Sequence, residues 1–179
     1  WEARDSWPGG HGYRLMLTYA TEYKEALQRL GPPVFVRAHF QPVMVVLGMA
    51  GEMQDARSSG GTGVIDVDGL FACSRLTGRV FPVVKPRGSM HGPITMGRVS
   101  ENDIAIPEYS ISKRHCIIAR VENEYRLTDM GSTNGTFVDG VRLVAQKPRR
   151  LLGGDTISMG RLMLVFYFPE GFLRHLQAL

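Results

Sequence analysis

From Arg79 to Phe168 no apolar pattern runs long enough to make a helix before Gly, Asn, Asp or Pro interrupts it, and this narrows the possible folds more than any other feature. The segments 80–84, 94–97, 103–106, 115–121, 125–129, 136–138, 142–144, 156–159 and 162–168 are short, β-branched or alternating, and bounded by turn residues. Many short strands at close intervals, with almost no helical periodicity between them, predict a mainly β chain: a β-sandwich of two antiparallel or mixed sheets.

The first half reads differently. Over 18–30, Tyr19, Tyr23, Ala26, Leu27 and Leu30 recur at helical spacing, and Gly31, Pro32 and Pro33 then stop the pattern. Segments 34–36 and 43–47, on either side of Pro42, read as short strands; 58–63 (Ser-Ser-Gly-Gly-Thr-Gly) reads as a flexible loop. Asp68-Gly69 between 64–67 and 70–74 is a two-residue hairpin signal. The expected organisation is an N-terminal α/β extension of no assigned family over 1–78, the sandwich over 79–168, and a tail or short helix over 169–179, with helical pattern at 173–179. In one arrangement 64–74 extends a sheet edge and the 18–30 helix covers apolar surface, which would make a single unit.

At 179 residues, 44% hydrophobic and 21% charged, the chain can bury one good core with a smaller appended layer. Its formal charge of +4 and pI near 9.3 favour acidic partners, among them phosphopeptides, nucleic acids and anionic membrane surfaces. The densest basic cluster is only Lys147, Arg149 and Arg150, which speaks against a nucleic-acid partner. The longest apolar stretch, 43–50, is far below the roughly 20 residues of a membrane-spanning helix, and the first residues lack signal-peptide order. Two cysteines, Cys73 and Cys116, make neither a disulfide framework nor a zinc pattern, so a soluble protein of the reducing cytoplasm is expected. Five scattered histidines show no metal-ligand spacing, and Gly60–Gly63 is not followed by the Gly-Lys-Ser/Thr of a phosphate-cradling loop, so neither metal nor cofactor is expected. No Ser-His-acid or Cys-His grouping makes a case for an enzyme.

Four patterns remain, in a fixed order: Gly97-Arg98, Ser112-Lys113-Arg114-His115, Ser132-Thr133-Asn134-Gly135-Thr136, and Gly154-Asp155 with Gly160 beyond. A phosphate on a protein surface needs fixed cations and several neutral donors, and a planar guanidinium matches phosphate oxygens in pairs. Arg98, Ser112, Lys113 and Thr133 offer that set, all at strand ends or in loops, where distant positions can converge at one end of a sandwich.

In order and spacing, these patterns, together with Asn102-Asp103-Ile104, resemble the forkhead-associated (FHA) domain over about 79–168. The resemblance implies an FHA-type sandwich in which Arg98, Ser112, Lys113 and Thr133 hold a phosphate and Asn134 hydrogen-bonds the backbone of the bound peptide. It implies a preference for phosphothreonine, and it places Ser110 in the loop that helps select the third peptide residue after the phosphothreonine. Gly97, His115 and Gly135 are expected to be structural supports, and Gly154, Asp155 and Gly160 scaffold. The expected function is phosphothreonine-dependent protein interaction in serine/threonine kinase signalling, the partner being a kinase or one of its substrates. The alternative is an assembly module that binds unphosphorylated partners through the N-terminal half.

Overall fold

The computed structural model describes residues 18–49, 75–86 and 88–179. Within them the chain is mainly β. One sheet of six strands runs in the order β2-β1-β11-β10-β7-β8, and one of five in the order β4-β3-β5-β6-β9. The strands are β1 (Val43–Met49), β2 (Val80–Pro82), β3 (Ile94–Gly97), β4 (Ile104–Ala105), β5 (Cys116–Val121), β6 (Glu124–Asp129), β7 (Thr136–Val138), β8 (Val141–Arg142), β9 (Arg149–Leu151), β10 (Thr156–Met159) and β11 (Leu162–Tyr167). All neighbours pair antiparallel except β3 and β4, which are parallel.

Strand β1 explains how the two halves of the sequence fit together. It is apolar at nearly every position because both its faces are covered, as expected of a strand that lacks polar alternation. Met44, Val46 and Met49 enter the core between the sheets; Val43 and Val45 point the other way, into a second apolar cluster. That cluster is closed by α1 (Ala20–Leu30), α2 (Pro32–Ala38) and α3 (Pro169–Ala178) through Tyr23, Ala26, Leu27, Phe35, Phe172 and Leu176. Tyr23 meets Phe172 edge-on at 5.2 Å between ring centres, so the first and last helices are joined over the sheet. By contrast β6 alternates, with Tyr125, Leu127 and Asp129 buried and the residues between them half-exposed, because the outer face of its sheet meets solvent.

The division expected at residue 79 therefore does not coincide with the edge of the sandwich, since β1 pairs with both β2 and β11. Residues 34–36, expected as a strand, lie within α2. Pro32 and Pro33 occupy its first turn, where a fixed φ favours the helix and a missing N–H costs nothing, and Phe35 is buried against the aromatic cluster. The terminal helix begins at Pro169 rather than at 173 for the same reason. Strand β9 was not anticipated: it is a short edge with Arg149 and Arg150 exposed, and only Leu151 turned inward. The expected loop at 58–63 and hairpin at 64–74 lie outside the described residues. Among those described, no helix is long and apolar enough to cross a membrane.

Candidate functional site

The segments 98–103, 106–115 and 130–135 and the turn at 160–161 leave the strands at one end of the sandwich. Between them lies a cavity of about 250 Å³ lined by Arg98, Tyr109, Ser110, Ile111, Ser112, Lys113, Thr133 and Asn134. All five residues expected to hold a phosphopeptide are thus brought to one place, from three separate segments. A larger cleft of about 590 Å³ lies between the Gly153-Gly154 turn and α3. It contains Glu170 beside Arg174 and His175 and lacks the convergent cations and hydroxyls of the smaller one.

Arg98 is placed by its own backbone. It follows the end of β3, and its N–H donates to Ser112 O at 3.0 Å, which leaves the guanidinium exposed. Gly97 permits this approach: a Cβ there would stand 2.2 Å from the Lys113 carbonyl oxygen. The Asn102 amide, buried, donates to that same carbonyl at 2.7 Å and to Val99 O at 2.9 Å. Both neighbours of the Arg98–Lys113 pair are therefore locked while the two cationic ends remain in solvent.

Ser112 and Thr133 touch across the cavity. The Thr133 N–H donates to Ser112 Oγ at 3.0 Å, and the two hydroxyls are 3.3 Å apart. Asn134 directs its amide nitrogen to Ser110 O at 2.8 Å, which fixes the side-chain orientation and leaves its carbonyl oxygen as an acceptor. Ser110 itself is only 6% exposed. Its hydroxyl donates to Glu108 Oε2 and accepts from the Arg161 N–H at 2.9 Å, so the exposed side chain at this point of the loop is Tyr109.

His115 is fully buried and braces the loops. The Ser112 N–H can only donate, so Nδ1 accepts at 3.1 Å; the proton then sits on Nε2, which donates to Gly135 O at 3.2 Å. Burial pushes its pKa down, with the Gly135 carbonyl and the Asp129 charge acting in the opposite direction. Sequence reasoning passed over Asp129, whose Oδ1 accepts from the Gly131 and Ser132 amides at 2.8 and 3.0 Å. Its Oδ2 accepts from the Ser132 and Thr136 hydroxyls, both at 2.5 Å. Burial opposes its charge, but these donors outweigh burial and hold the carboxyl below its ordinary range. The Asp-x-x-Ser spacing ahead of a glycine turn was the available signal.

Among the described residues no cluster of His, Cys, Asp or Glu could hold a metal ion. Cys116 is buried beside Met159, and burial pushes its thiol pKa far up, as suits a packed apolar residue.

Comparison with known proteins agrees with this geometry. Residues 94–160 match the family model of the FHA domain. Over 92 residues the chain is 36% identical to the ABC transporter ATP-binding/permease protein Rv1747 of Mycobacterium tuberculosis, covering 51% of this chain and 9% of that protein. Over 75 residues it is 37% identical to the oxoglutarate dehydrogenase inhibitor of Corynebacterium efficiens, covering 40% of this chain and 49% of the relative. The chain thus spans less than half the length of these curated relatives. Among solved structures, the FHA domain of an Arabidopsis thaliana hypothetical protein is similar with a TM-score of 0.48 and 22% identity, over 72% of this chain and 85% of that one. The matched segment, the two-sheet sandwich around it and the order of its motifs together show that this chain carries an FHA domain.

Proposed function

We propose that the cavity binds a phosphothreonine-containing segment of a partner protein. The observation that carries this reading is the composition of the lining: Arg98 and Lys113 bring two cations, Ser112 and Thr133 two hydroxyls, and among the described residues no carboxylate lines the space. A phosphorylated side chain carries a charge of about −1.5 to −2 with three acceptor oxygens, which suits such a set. The free carbonyl of Asn134 is suited to a backbone N–H of an extended peptide. A threonine methyl buried on binding, at about 0.8 kcal/mol, would favour phosphothreonine over phosphoserine about fourfold.

We read this as binding without turnover. The buried imidazole of His115 reaches Ser112 through the backbone amide, not the hydroxyl, and among the described residues the hydroxyls of Ser112 and Thr133 contact each other and no base. A phosphothreonine partner is made by a serine/threonine kinase, so the kinase itself or one of its substrates is the partner we infer, within the cytoplasm. The test is Arg98→Ala in a phosphopeptide titration. Loss of charge-assisted hydrogen bonds worth about 1.5–3 kcal/mol each should weaken binding at least tenfold with the fold intact, and unchanged affinity would remove the reading.

A further inference from the structure

We infer that Glu108 is a positioning residue of this site, setting the peptide-facing amide of Asn134 through Ser110; the inference rests on the phosphopeptide reading above. Three of the segments around the cavity meet at Ser110. Its N–H donates to Glu108 Oε2 at 3.0 Å, and its hydroxyl donates to the same oxygen. That hydroxyl also accepts from the Arg161 N–H of the β10–β11 turn at 2.9 Å. Its carbonyl accepts from Asn134 Nδ2, in the segment between β6 and β7, at 2.8 Å. Gly160 packs so closely on this hub that a Cβ would fall 2.4 Å from Ser110 Oγ and 2.5 Å from Ser110 O. A carboxylate oxygen that receives both the amide and the hydroxyl of Ser110 holds its side chain and the peptide before it, and so restricts the direction in which the Ser110 carbonyl meets Asn134.

Nothing in the core requires an acid at this position. Glu108 is 2% exposed and belongs to no ion pair among the described residues, and its second oxygen, Oε1, has no hydrogen-bond partner there. A buried carboxyl with one oxygen unmatched works against stability. Among the described residues its side-chain hydrogen bonds go only to Ser110, a residue of the cavity lining, so the carboxyl's contribution is to the shape of the binding loops. Asn134 turns toward the peptide on one side and toward this hub on the other, and its orientation is the link between the two.

Such coupling is measured by a double-mutant cycle in the full chain, with a phosphothreonine peptide pool of degenerate flanks as the probe. Glu108→Ala and Asn134→Ala should each weaken binding about tenfold, and the double variant should be hardly weaker than either single one. Glu108→Gln keeps an acceptor oxygen for Ser110 and should restore affinity to within about threefold of the original. If Glu108→Ala fails to fold, Ser110→Ala replaces it in the cycle, since it removes the hydroxyl bridge alone. The Asn134 side-chain amide resonances should shift in Glu108→Ala or Ser110→Ala and stay in place in Glu108→Gln. Additive losses, or an Asn134 amide signal unmoved by loss of the hub, would overturn the inference. If the original chain binds the phosphothreonine pool and the cycle is additive, only this inference falls; if it binds no phosphopeptide, the functional reading falls first and takes this one with it.

Discussion

The imidazole of His115 and the carbonyl of Gly135 meet at 3.2 Å in the buried end of the sandwich, joining the start of β5 to the loop that carries Thr133 and Asn134. The Ser112 amide donates to Nδ1, and that second bond needs the neutral ring with its proton on Nε2; protonation of Nδ1 keeps the bond to Gly135 and breaks the one to Ser112. One histidine therefore links both halves of the phosphate site, and its charge state sets whether they stay linked.

Acid should loosen this link first. The folded pKa of His115 is depressed, so the unfolded chain takes up the proton at higher pH; stability is full above about 6.5 and declines as pH falls below it. His175, half-buried and stacked on Tyr167, has its pKa lowered by that burial and adds to the same limb. Thermal unfolding from pH 8 to 5 should show Tm falling below about pH 6.5, with a shallower slope in His115→Gln that leaves the His175 share. An identical slope in that variant would show that His115 does not titrate as argued.

Asp129→Asn should unpin the loop from 130 to 135. The variant places an NH2 where two amides or two hydroxyls now donate, with an expected loss of about 1.5–3 kcal/mol of stability. Hydrogen exchange at Gly131 and Ser132 should speed up and phosphopeptide affinity should drop. Unaltered exchange there would mean that the loop is held by something other than this carboxylate.

Gly97→Ala tests the approach of β3 to Lys113. A methyl 2.2 Å from a backbone oxygen forces β3 and the 106–115 segment apart, because no flexible side chain can yield. Overpacking of about 1–3 kcal/mol is expected in denaturant unfolding, with a loss of affinity because Arg98 is the next residue. Wild-type stability would contradict the geometry.

Much of this was legible in the sequence. The alternation of β6 and the ordered turn motifs gave the sandwich and the five cavity residues, since each has a local signature. Strand β1 was legible as apolar but not as part of the sandwich, because its partners β2 and β11 are set by long-range pairing and not by neighbouring residues. Segment 34–36 misled for a related reason: β-branched Val34 and Val36 suggest a strand, while the two prolines before them and the burial of Phe35 favour a helix. The Ser110 hub was hidden, since Asn134 and Arg161 converge on it from two segments whose proximity only the fold creates.

The helical layer should unfold with the sandwich. Phe35→Ala empties a side chain that is 1% exposed and in contact with the cluster over β1, at an expected cost of about 3–5 kcal/mol. A single cooperative transition shifted to lower temperature is expected. A second, separate transition, with the sandwich unaffected, would show that the helices are an independent layer.

The most direct test of the central claim is calorimetric titration of the chain with a degenerate phosphothreonine peptide pool, beside matched phosphoserine and unphosphorylated pools. The account predicts saturable binding to the phosphothreonine pool, weaker binding to phosphoserine and none to the unphosphorylated control. Equal binding to all three, or to none, would contradict it.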